Sequence, residues 1–162
     1  MELSVEVKLH GLFLRDPGTA IKIYEEEIKR GFEEGSSLML REVDKRTPRG
    51  LTGNLAGSLF REVRASGLDL YAVVATPLYY ARRVEETIAY TPEFASLLEW
   101  VRLKLGVSGR HLYPITKVIY RNISARGQRV ARMMFQGGFE AGTPKVIKIL
   151  EQARDRIVAR WQ

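Results

Sequence analysis

Leu3, Val5, Val7 and Leu9 alternate with Ser4, Glu6 and Lys8 at the start of the chain, the period-two pattern of a strand with one buried face. The period then lengthens. Asp16-Pro17-Gly18 offers an N-cap followed by proline at the first helical position, and Ile21, Tyr24, Ile28 and Phe32 follow at helical spacing. Leu38, Met39 and Val43 continue the apolar side until Thr47-Pro48. Because proline pushes the residue before it out of the helical region, a long helix is predicted over residues 17 to 46. Gly31 and Gly35 lie four apart inside it. Each weakens a helix by about 1 kcal/mol relative to alanine, which a kink or a close helix contact would explain.

Beyond a turn-rich stretch, Pro48 to Asn54, a strand is predicted from Leu59 to Ala65. Ser66-Gly67-Leu68-Asp69 reads as a hairpin connection into a second strand, Leu70 to Ala75. That strand is apolar on both faces, which predicts a place inside the sheet or cover on both sides, and Pro77 ends it. A short helical segment is expected from Tyr79 to Glu86. Thr91-Pro92 then caps an amphipathic helix bearing Phe94, Leu97, Leu98, Val101 and Leu105, closed by Gly106. Pro114 opens another, with Ile115, Val118, Ile119 and Ile123 on one side and Gly127 as its stop. Thr143-Pro144 opens the last, with Val146, Leu150, Ala153, Ile157 and Trp161 on its buried side. The sum is one α+β domain over residues 1 to 162, a small antiparallel sheet packed by a long N-terminal helix and several C-terminal amphipathic helices.

Composition narrows the chemistry. Hydrophobic residues make up 45% and charged residues 28% of 162, a globular balance far from that of disorder. There is no cysteine, which removes disulfides, thiolate metal sites and cysteine nucleophiles. The first ten residues lack the basic and then apolar layout of a signal peptide, and no apolar run approaches the roughly 20 residues that span a bilayer. A soluble, cytosol-like protein without a membrane partner is the expectation.

The formal charge of +7 is unevenly placed. Residues 1 to 81 carry 11 Lys/Arg against 12 Asp/Glu, and residues 82 to 162 carry 15 against 7. Eleven of those later cations are arginine, a residue suited to bidentate carboxylate or phosphate contacts. An acidic partner, nucleic acid or a merely solvated basic face would each account for it.

Candidate chemistry is sparse. His10 and His111 are far apart in sequence and without a local acidic partner, and no H-E-x-x-H or D-x-D pattern supplies a metal set. Glu25-Glu26-Glu27 faces several directions around a helix and reads as a solvated face. Gly50-Leu51-Thr52-Gly53-Asn54 lacks both the lysine of a phosphate loop and a preceding strand. The expectation is therefore no enzyme, no catalytic residue, no metal and no cofactor.

Residues Arg46 to Ser58, RTPRGLTGNLAGS, resemble the A-P-x-x-T-G-x-L-x-x-S signature of a large family of tailed-bacteriophage tail-completion and head-to-tail joining proteins. That family continues with a β-hairpin and a Y-A-x-x-V-E element, and here Leu59 to Ala75 is followed by Tyr80-Ala81-Arg82-Arg83-Val84-Glu85. Gly127 to Phe139, GQRVARMMFQGGF, is similar to the family's basic, then aromatic segment before a last helix, here expected at 144 to 160. One departure is Glu86-Thr87-Ile88, where many relatives have a glycine-containing turn.

The resemblance implies a structural neck or minor tail protein of the virion, assembled in the host cytoplasm. Its implied state is a homo-oligomeric ring, usually a hexamer, between connector or stopper and tail tube proteins, with DNA passing through the lumen without sequence-specific binding. Physically, Thr47, Pro48, Gly50, Thr52, Gly53, Asn54 and Leu55 form a turn motif in which Gly50 and Gly53 permit positive φ and Thr52 or Asn54 bonds exposed amides. Tyr80 and Val84 pack on one side of a short helix, while Glu85 points elsewhere and could meet an arginine of a neighbouring subunit. Arg121, Arg126, Arg129, Arg132 and Phe135 complete the candidate interface. The rival reading is a small basic nucleic-acid-binding protein that uses the Arg121 to Arg132 cluster.

Overall fold

A computed structural model describes residues 11–50, 52–66, 69–86, 91–126 and 133–162. The strand predicted at residues 3 to 9 lies outside them. The chain is α+β, and it divides into two compact units. One unit comprises Met1–Glu42, Phe60–Ala75 and Phe139–Gln162, the other Val43–Leu59 and Thr76–Gly138.

In the first unit a single turn, α1 (Leu12–Arg15), precedes α2 (Pro17–Arg46), whose bounds are those the sequence predicts. Asp16 caps α2: its carboxylate accepts the Thr19 amide at 3.1 Å and the Thr19 hydroxyl at 2.6 Å, the anion a helix start favours. These bonds hold the Asp16 carboxyl below its usual range. The buried face of α2 differs from the predicted stripe. Ile21 is exposed, and Ala20, Ile23, Glu27 and Ile28 are buried. Small residues mark that face because another helix lies against it: a Cβ on Gly31 would sit 3.0 Å from Ala153 Cβ, and one on Gly35 3.0 Å from Val146 Cγ1. The two glycines thus serve a close helix contact rather than a kink.

The opposing helix is α7 (Met134–Trp161). Its buried residues Leu150, Ala153, Ile157 and Trp161 fall on the predicted side, but it begins ten residues before the predicted start and carries Pro144 inside. Proline usually ends a helix by removing an amide donor. Here Pro144 is exposed, and the neighbouring Thr143 hydroxyl donates to the Phe139 carbonyl at 2.7 Å. In this unit Gly142 also comes so near Met39 that an added Cβ would lie 2.6 Å from Met39 Sδ. Packing on both sides of the proline overrides the local stop signal.

Strands β1 (Phe60–Ser66) and β2 (Asp69–Ala75) pair antiparallel, with Phe60 opposite Ala75 and Ser66 opposite Asp69. Residues 67 and 68, the predicted hairpin connection, lie outside the described residues. The expectation that β2 sits inside the sheet or is covered on both sides is corrected. Among the described residues the sheet has two strands, and Tyr71 and Ala72 are exposed. With those two side chains uncovered, β2 is not enclosed on both faces, whatever the apolarity of its residues.

The second unit contains α3 (Asn54–Gly57), α4 (Ala81–Glu86), α5 (Phe94–Leu105) and α6 (Leu112–Arg126), the last entered through a 3-10 turn at Gly109–His111. Glu93, rather than Thr91-Pro92, takes the N-cap position of α5, with the Ser96 hydroxyl donating to its carboxylate at 2.6 Å. Gly106 closes α5 at φ 65°, as its position predicts. Phe94 packs edgewise on Tyr120 and tilted on Tyr113, at 5.6 and 5.2 Å between ring centres. The predicted apolar face of α6 is also corrected. Thr116 is its fully buried residue, with its hydroxyl satisfied by the Leu112 carbonyl at 2.8 Å, whereas Ile115 and Val118 are exposed. Gly127, the predicted stop, lies outside the described residues.

Candidate functional site

The start of α7 is where the second unit concentrates its interactions. Met134 is fully buried and forms a cluster with Leu55, Ala81 and Val84, against which Leu78, Tyr80 and Phe135 also pack. Thr47, where the chain leaves α2, is buried too. Its hydroxyl donates to the Val43 carbonyl at 2.8 Å and lies 3.6 Å from Met134 Sδ. Three segments distant in sequence thereby meet on one methionine.

A helix start leaves amide donors without intrahelical partners, and at α7 the second unit supplies the acceptor from another helix. One oxygen of Glu85 accepts the Phe135 amide at 3.0 Å and the other the Gln136 amide at 2.8 Å. The carboxylate also faces the positive end of the helix dipole. Met133, immediately before, has φ 45°, the one non-glycine with positive φ among the described residues, a conformation that a local clash disfavours for L-residues. Its carbonyl receives the Gly137 amide at 2.7 Å. One residue on, Gly138 lies so close to α2 that a Cβ there would be 2.6 Å from Val43 Cγ2 and 2.9 Å from Val43 Cα.

The predicted turn motif takes its expected structural role with one exception. Gly53 has φ 67° and opens α3, and Thr52 Oγ1 accepts the Asn54 amide at 3.4 Å. Leu55 enters the cluster. Pro48 is half-buried after the helix end. Gly50 is not among the positive-φ residues and has open space around it, so the reversal does not use its freedom.

The candidate interface residues have separate fates. Tyr80 packs on the cluster and meets Tyr79 edge-to-face at 5.7 Å. Glu85, expected to meet an arginine of a neighbouring subunit, gives its carboxylate to α7 of its own chain. Phe135 is half-buried in that same cluster. Arg121 and Arg126 are exposed on α6, while Arg129 and Arg132 lie outside the described residues. Sequence reasoning missed Met134 and Gly138. The signal was present as Gly138 and Gly142, four apart and therefore on one face of a helix.

In the first unit the polar centre is Glu27, which accepts Arg156 Nε at 2.7 Å and Arg160 Nη1 at 3.1 Å. The Arg156 bond foremost, and the Arg160 bond with it, hold the Glu27 carboxyl below the usual glutamate range against the opposing effect of burial. Lys145 meets the buried Glu42 at 2.9 Å. Among the described residues no three His, Asp or Glu side chains gather as a metal set, and no helix is long and apolar enough to cross a membrane. Compared with known proteins, the chain matches no family model, no curated protein and no solved structure.

Proposed function

We propose that the chain is a structural assembly protein, a subunit of the ring that completes a phage tail or joins it to the head, with DNA passing through and no reaction catalysed. One observation carries the reading. The three stretches that resemble the tail-completion family, Arg46 to Ser58, Tyr80 to Glu85 and Gly127 to Phe139, are far apart in the chain, yet residues from all three meet at Met134. Thr47 and Leu55 come from the first, Ala81, Val84 and Glu85 from the second, and Met134 to Gln136 from the third. A chance likeness of short motifs has no reason to assemble into one packed junction, whereas motifs that specify a shared fold do.

The polar groups of this junction are directed at amides and carbonyls of the chain itself, which is the arrangement of a fold determinant. The surplus of arginine in the second half suits an acidic surface such as that of a tail tube. Inactivating the gene in a host that produces the particles tests the reading by negative-stain microscopy. Filled heads and unjoined tails are expected, and a normal yield of complete particles would contradict it.

A further inference from the structure

From Trp100 to Phe139 the sequence contains eight lysines and arginines and no aspartate or glutamate. Elsewhere in the molecule several cations are matched, among them Arg30 with Glu34, Arg64 with Glu62, Arg156 with Glu27, and Lys145 with Glu42. On α6, Lys117, Arg121 and Arg126 are exposed and make no ion pair among the described residues. Between them lie two aliphatic side chains that folding leaves uncovered, Ile115 at 37% and Val118 at 59% exposure. At three residues apart they share one side of the helix, away from buried Thr116, with Arg121 a further three residues on.

We infer that this face of α6 docks a different protein, through an acidic segment that carries aliphatic side chains among its carboxylates. The inference deepens the assembly reading and rests on it for the existence of a partner protein. A second copy of the chain fits poorly. Its charge is +7, and several of its exposed carboxylates, Glu26, Glu34, Asp44, Glu62 and Asp155, are already bonded to arginines of the same chain. Nucleic acid would neutralise the cations but offers its phosphates no apolar surface for Ile115 and Val118. A bilayer needs a broader apolar face than two β-branched residues provide. An acidic amphipathic segment satisfies both parts of the face, with the carboxylates steering encounter and the aliphatic contacts slowing release.

The test uses the full chain and a labelled amphipathic helical peptide with a leucine stripe flanked by glutamates, followed by fluorescence anisotropy. Polyglutamate of equal charge, a DNA duplex and phosphatidylserine vesicles are run beside it. The amphipathic peptide is expected to bind more tightly than all three. The double variant Ile115→Ser with Val118→Ser should weaken it at least about tenfold, a free-energy change of ~1.4 kcal/mol, with the circular dichroism unchanged. Arg121→Ala should weaken it further in dilute salt than in concentrated salt. Polyglutamate binding as well as the peptide, indifference to the serine variant, or tighter binding of duplex or vesicles would overturn the inference. The solution mass of the same sample keeps the two readings apart. A strict monomer that binds the peptide counts against the ring alone, and a closed ring that ignores the peptide counts against this docking face alone.

Discussion

Replacing Gly138 with alanine sets two known effects against each other. In a free helix alanine is preferred over glycine by about 0.5–1 kcal/mol, so the change would stabilise α7 if space were open. It is not: the new Cβ would stand 2.6 Å from Val43 Cγ2, 2.9 Å from Val43 Cα and 3.1 Å from Val43 N. Carbon atoms prefer roughly 3.5–4.0 Å, so the helices must separate by most of an ångström. Rotating Val43 cannot relieve this, because two of the three contacts are backbone and the side chain is fully buried. Overpacking of this kind costs about 1–3 kcal/mol, and Gly138→Ala is therefore expected to lose about 1–2 kcal/mol net.

Its neighbour is the control. A Cβ on Gly137 meets Arg46 Cδ at 3.3 Å and Nε at 3.4 Å, side-chain atoms rather than backbone. Gly137→Ala should gain about 0.5 kcal/mol. Urea unfolding at one protein concentration measures both, with equal slopes so that midpoints report stability. If Gly138→Ala unfolds at the same urea concentration as Gly137→Ala or a higher one, the close approach of α7 to Val43 is wrong.

Other expectations follow from the same geometry. Glu85→Gln keeps the shape of the side chain but removes the charge facing the α7 start, and should lower stability by about 1 kcal/mol in the same urea assay; an unchanged midpoint would mean that Glu85 does not stabilise the α7 start. Glu27 has a folded-state pKa below its unfolded value, so its contribution is present above the ordinary glutamate range and is lost as pH falls through the folded pKa. Thermal midpoints followed downward from neutral pH should therefore fall on acidification, and Glu27→Gln should show a shallower decline from a lower neutral value. Gly142→Ala should be milder than Gly138→Ala, because the atoms met are Met39 Sδ and Cε at the end of a flexible side chain, and calorimetry can rank the two.

The elements bounded by strong local signals were legible in the sequence. Asp16-Pro17 and Thr47-Pro48 delimit α2 at both ends, Gly106 closes α5, and the Ser66 to Asp69 connection between two strand-like stretches marks β1 and β2. What hydrophobic periodicity could not reveal is which faces are buried where two helices come close. There the contact is made by Ala20, Gly31, Gly35, Gly138 and Gly142, which carry little or no apolar side chain. Thr116 likewise turns inward on α6 with its hydroxyl satisfied by the preceding turn, so two isoleucine-type positions that look like core remain outside. The early start of α7 was hidden by Pro144, whose local effect is outweighed by packing on both sides of it. Glu85 was legible as polar and outward of its own short helix, but the amides it caps are 50 and 51 residues away, a relation that no local pattern encodes.

Whether the chain closes into the proposed ring is read from the solution mass of the purified full chain by light scattering over a wide concentration range, with imaging of the largest species. A closed ring of about six subunits, formed through one repeated heterologous contact, is the predicted result. A strict monomer at every concentration, or an open-ended series of masses with no closed species, would contradict it.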